Sequence, residues 1–115
     1  MYGDPERDLD EHWWELVERY QRLRRPDRMA PDWAAKLHIA LEPVYYQNYE
    51  LGVLVAEQAR HHLVREVGGI VGRRKAGKWL IERFFRPGAR LEWSAHVESA
   101  TGEALNPRYF IDALS

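Results

Sequence analysis

Three observations predict an all-α protein. Apolar residues recur at steps of three and four along several stretches, no stretch alternates at period two, and Pro and Gly punctuate the chain between those stretches. Together they predict a bundle of about five helices in a single all-α domain covering residues 1–115.

The first helix is expected from near Asp8, where Leu9, Trp13, Leu16, Val17, Tyr20 and Leu23 form one apolar stripe. It should end by Arg25, because the residue before Pro26 is pushed out of the helical region. "RPDRMAP" reads as a loop, and Asp32 as an N-cap for a short helical piece carrying Trp33, Ala34 and Ala35. Pro43 suits the first turn of a second helix, which runs to about Val67 and ends at Gly68-Gly69. Its middle, "LGVLVA", is apolar nearly all round, the pattern of a helix buried on several sides.

A further stripe of Ala76, Trp79, Leu80, Arg83 and Phe84 stops at Pro87-Gly88. Trp93, Val97 and Ala100 mark a short helix ended by Gly102. Asn106-Pro107 is a cap and first turn opening a terminal helix with Tyr109, Phe110 and Leu114.

Composition narrows the function classes. Five Trp, six Tyr and three Phe favour a packed domain over a disordered segment. With no Cys, disulfides, thiol catalysis and Cys-ligated zinc are excluded. The longest apolar run, Leu51 to Ala56, falls far short of the roughly 20 residues that span a bilayer. The acidic start "MYGDPERDLDEH" has no apolar core, so it does not read as a signal peptide. A cytoplasmic protein without a membrane partner is expected.

The net charge of −1 conceals a polarity. Residues 1–18 hold seven acids against Arg7, whereas residues 65–90 hold eight bases against Glu66 and Glu82. A nucleic-acid patch is one reading of the basic block, and a solvated helix face is the commoner one. Glu82 and the interleaved aromatics weigh against nucleic acid.

The motifs of zinc hydrolysis, phosphate binding and serine catalysis are absent. No H-E-x-x-H, no G-x-x-x-x-G-K-[ST] and no serine elbow occurs. His61 and His62 are adjacent and diverge on a helix, leaving Glu57 and His61 as a weak two-ligand metal signal that an exposed polar pair explains better.

The stretch "KLHIALEPVYYQNY" remains. Tyr46 and Tyr49 are spaced to share a helix face with Val53 and Ala56, and a fold-back at "ALEP" sets His38 above them. Imidazole and phenol groups are donors suited to a developing oxyanion or a carboxylate. On spacing alone, core aromatics beside a loop histidine account for the same pattern.

"AKLHIALEPVYYQNY", continued by "LGVLVAEQ", "AGKWLIERFFRPGARLEW" and "ATGEALNPRYFIDAL", resembles the C-terminal catalytic half of the angiotensin-converting-enzyme family of zinc peptidases, its bacterial members above all. The likeness reaches back to "DEHWWELVERYQ". The resemblance implies that His38 and Tyr49 donate to the oxyanion, and that Lys36 and Tyr46 hold the substrate's C-terminal carboxylate. Asn48 stands where the animal enzymes carry a chloride-binding arginine, so chloride activation is not implied.

The family's zinc ligands lie upstream of the matching region. The resemblance therefore implies a fragment, with no cofactor of its own and zinc only in the full-length family. Such a chain is expected to be inactive alone, and to meet a peptide substrate only when completed by a zinc-bearing half. The alternative expectation is a stand-alone helical interaction module, a homo-oligomer joined through its apolar face.

Overall fold

The computed structural model describes residues 3–4, 6–28, 30–42 and 44–115. Every regular element among them is helical, as the periodicity predicts. By internal packing the chain divides into two compact units, Met1–Gln47 and Asn48–Ser115, described here one at a time.

In the first unit, α1 spans Leu9–Gln21. Asp8 holds an extended backbone, and its carboxylate accepts from the N–H groups of Asp10 at 2.9 Å and Glu11 at 3.0 Å. These donors have no partner within the helix, which is why an acidic residue starts it well. The helix ends earlier than Pro26 requires, because Arg22 turns left-handed at φ 60°. Arg25 then folds back, its N–H donating to Glu18 at 3.2 Å and its guanidinium pairing with Asp10.

The buried part of the predicted stripe also ends early. Val17 is buried and Leu9, Trp13 and Leu16 are half-buried, but Tyr20 is 70% and Leu23 56% exposed. A single turn of 3-10 helix, Asp32–Ala35, follows, with Pro31 rather than Asp32 at the cap. Asp32 sits inside that turn and accepts from Arg28 at 2.5 Å. A four-residue helix, α2, spans Leu37–Ala40, and both α1 and α2 pack against the 3-10 turn.

In the second unit, α3 runs over Gln47–Val67, 21 residues or about 31 Å at 1.5 Å per residue. Its expected opening at Pro43 lies outside the described residues; the helix itself begins at Gln47. "LGVLVA" is not buried on several sides: Val53 is 43% exposed, and Gly52 and Ala56 are exposed too. The core gathers further along, around Leu63, Ala76 and Trp79, with Val67, Leu80 and Phe84 packed against it.

α3 closes at Gly68, whose N–H donates to Val64 at 2.8 Å. α4, Arg74–Leu80, continues into a π-helical turn over Ile81–Phe85, where Arg86 N–H reaches the Ile81 carbonyl at 2.7 Å. α5 spans Trp93–Thr101 and ends at Gly102, whose φ of 88° suits a residue without Cβ. Asn106 accepts from the Arg108 N–H at 3.1 Å and so opens α6, Arg108–Ala113.

Candidate functional site

Three groups of polar side chains stand out, one in the first unit and two in the second. The first contains three of the four residues singled out in the sequence. Lys36 occupies the N-cap of α2 with an extended backbone, its N–H donating to the Trp33 carbonyl. Its side chain is exposed, and its ammonium forms no ion pair among the described residues. His38 lies within α2 rather than in a loop ahead of a helix, which corrects the sequence expectation.

The His38 ring is half-buried and stacks on Tyr45 with centroids 5.6 Å apart and planes 18° apart. Tyr46 lies at 5.9 Å, tilted by 31°. The turn that brings the two tyrosines to the imidazole passes through Val44 at φ 58°, a conformation costly for a β-branched residue. The Gln47 amide braces it by donating to the Val44 carbonyl at 2.5 Å.

Tyr46 precedes α3, so it does not share a regular helical face with Tyr49 as the i, i+3 spacing suggests. Tyr49 stands in the first turn of α3, in the second unit, and is exposed. The first unit thus brings Lys36, His38 and Tyr46 into one short segment, with Tyr45 as an aromatic neighbour that spacing alone did not single out.

The second group is buried and was not foreseen. Gln58 is fully buried on α3 and spends its whole amide on the segment joining α5 to α6. Its Nε2 donates to Thr101 Oγ1 at 2.9 Å and to the carbonyls of Ala104 at 3.2 Å and Glu103 at 3.3 Å. Its Oε1 accepts from the Asn106 N–H at 2.7 Å.

One turn on, the buried His62 places Nδ1 at 3.0 Å from the Arg65 guanidinium and Nε2 at 2.9 Å from Glu103. Arginine can only donate, so Nδ1 accepts and the ring proton sits on Nε2, directed at the carboxylate. The Tyr109 hydroxyl donates to the same Glu103 oxygen, and Asn106 approaches the other at 3.5 Å. The Tyr109 hydrogen bond, aided by those of His62 and Asn106, holds the Glu103 carboxyl below its usual value, against a smaller opposing effect of burial. The same bond pushes the Tyr109 phenol up.

These partners tie α6 and its lead-in to α3. They leave the Glu103 carboxylate committed to structure, because its acceptor positions already face protein donors. The signal for them in the sequence is faint, since Gln58 and Glu103 read as ordinary polar helix and loop residues.

A third polar cluster surrounds the π-helical turn. Glu66 accepts from Trp79 Nε1 and from Arg83, each at 2.9 Å, and Arg83 also donates to the Ala100 carbonyl at 2.9 Å. The guanidinium lies 5.2 Å over the Trp79 ring. His96 Nε2 donates to the Arg83 carbonyl at 3.1 Å, within a turn whose wider spacing changes the usual helical pairing.

No group of three His, Asp or Glu placed to hold a metal ion occurs among the described residues. Glu57 pairs with Arg60 at 2.7 Å, and the His61 ring lies 4.4 Å from that of Tyr109. No helix of the described residues is long and apolar enough to cross a membrane. Compared with protein-family models, curated proteins and solved structures, the chain matches none.

Proposed function

We propose that the chain is the carboxylate-binding and oxyanion-stabilising part of a zinc peptidase. The observation that carries this reading is the arrangement around α2: an exposed Lys36 ammonium at the helix start, and a His38 imidazole two residues further, lying against Tyr46. Lys36 and Tyr46 bind the C-terminal carboxylate of a peptide. An ammonium paired with a phenol hydroxyl supplies a charge-assisted hydrogen bond and a neutral one to the two carboxylate oxygens. His38 supplies an N–H donor where negative charge develops on the scissile carbonyl oxygen, and the resemblance gives the Tyr49 hydroxyl the same role.

The chain contains no H-E-x-x-H, so the metal-activated water must come from another polypeptide segment. Alone, the chain binds a carboxylate and performs no hydrolysis.

The test is a titration of the isotope-labelled chain with a short peptide carrying a free C-terminal carboxylate, and with the same peptide amidated. The free acid is expected to shift the resonances of Lys36, His38 and Tyr46, and Lys36→Ala to abolish that response. Equal responses to acid and amide, or none to either, overturn the carboxylate site. Zinc-dependent peptide cleavage by the chain alone overturns the assignment as an incomplete catalytic half.

A second reading, self-association through an apolar face, is favoured by the outer part of the second unit. Leu51, Gly52, Val55 and Trp93 line a hollow of about 380 Å³ beside the exposed Val53. Sedimentation over a range of concentrations separates the two readings. A monomer at every concentration removes the interaction module.

A further inference from the structure

The basic block of the second unit and the loop before it form a surface that the peptidase reading does not use. Gly68, Gly69 and Gly72 all take positive φ, at 79°, 148° and 71°, and the Arg73 N–H donates to the Ile70 carbonyl at 3.3 Å, closing a turn over Val71 and Gly72. Ile70 opens that turn and Val71 stands at its tip, 95% exposed, the most exposed large hydrophobic among the described residues. Gly72 leads straight into the exposed face of α4. There Arg74, Lys75, Lys78 and Arg86, with Ile81 and a single acid, Glu82, line a hollow of about 520 Å³.

The charges on this surface are largely uncompensated. Lys78 lies 3.7 Å from Glu82, a solvent-exposed pair of little strength, and Arg74, Lys75 and Arg86 form no ion pair among the described residues. Phe85, 68% exposed, continues the apolar component at the far end of the π-helical turn.

We propose that this surface docks on an anionic lipid bilayer, with Ile70 and Val71 entering the interface and the four cations lying over lipid phosphates. Aliphatic side chains projected on a glycine-bounded turn gain free energy by leaving water for the acyl boundary. Ile70 and Val71 offer nucleic-acid bases no aromatic face to stack on, whereas single-strand binders use aromatic platforms. Basic residues beside an inserted tip are attracted by the negative potential of a membrane, each lysine or arginine strengthening binding about fivefold. The hollow between Arg74 and Arg86 is open enough to admit a headgroup phosphate.

Vesicle co-flotation of the intact chain tests the proposal, using phosphatidylcholine alone and phosphatidylcholine mixed with phosphatidylglycerol. Partition into the mixed vesicles only is expected, declining as salt rises because the attraction is screened. Lys75→Ala and Lys78→Ala should each lower partition about fivefold. Val71→Asp should abolish it while leaving the melting temperature unchanged, since the side chain has no packing to lose.

Partition into neither vesicle, or equal partition into both, overturns the proposal. So does a Val71→Asp variant that binds as well as the parent. A single-stranded oligonucleotide that displaces the chain from the mixed vesicles, and binds it more tightly than they do, would reassign the surface to nucleic acid.

Discussion

Gln58 shows what a single buried amide does in this chain. It satisfies an N–H, a hydroxyl and two carbonyls on a segment more than forty positions away. Gln58→Leu leaves the Asn106 N–H and both carbonyls without that partner, and should cost about 2–4 kcal/mol in urea unfolding. Glu103 adds a pH dependence. Its folded pKa lies below that of an ordinary carboxyl, chiefly because of the Tyr109 hydrogen bond, so its contribution is present above the ordinary carboxyl range and is lost as pH falls through the depressed value. Tyr109 shifts the other way, above 10.0, so its contribution is present below pH 10.0 and fades as pH rises through the raised value. Melting temperatures followed across the acid range should fall less steeply for Glu103→Gln than for the parent, because the variant has no carboxylate to protonate there.

At the scale of the element, two glycines make opposite predictions. Gly52 lies within α3 with open space where a Cβ would stand, so Gly52→Ala should stabilise the chain by about 0.5–1 kcal/mol. Gly102 closes α5 at φ 88°, where alanine is strained, and Gly102→Ala should destabilise by about 1 kcal/mol despite equally open surroundings. Thermal or urea unfolding of the pair reads both signs. Most helix ends were legible in the sequence for the same local reason. Asp8, Gly68, Gly102 and Asn106 act through backbone groups a few residues away, so their effect needs no distant partner. Other boundaries were not legible. α1 stops at Gln21 because Arg22 turns left-handed and Arg25 folds back onto Glu18 and Asp10, and α3 begins at Gln47, after the Val44 turn that sets Tyr45 and Tyr46 beside His38.

Across the whole molecule, periodicity indicated which residues were candidates for burial but not which of them would be covered. Leu23 belongs to the apolar stripe of the first helix yet is exposed, whereas Leu63, which no stripe singled out, is 2% exposed. Leu63→Ala should therefore cost about 3 kcal/mol through lost contacts and a residual cavity. Leu23→Ala should change the unfolding free energy by less than about 0.5 kcal/mol. Of the candidate site, Lys36 and His38 were legible as a spaced pair, because two residues apart in a chain is close in any fold. The stacking of His38 on Tyr45, and the left-handed Val44 turn that produces it, were not. The sequence by itself determined the all-helical class and most of the punctuation, since hydrophobic period, caps, Pro and Gly act within a turn or two of chain. Only the tertiary structure decided that the core gathers on Leu63, Ala76 and Trp79, and that Gln58, His62, Glu103 and Tyr109 meet. Those outcomes depend on which surfaces exclude water from one another, and residues some forty positions apart carry no local trace of that.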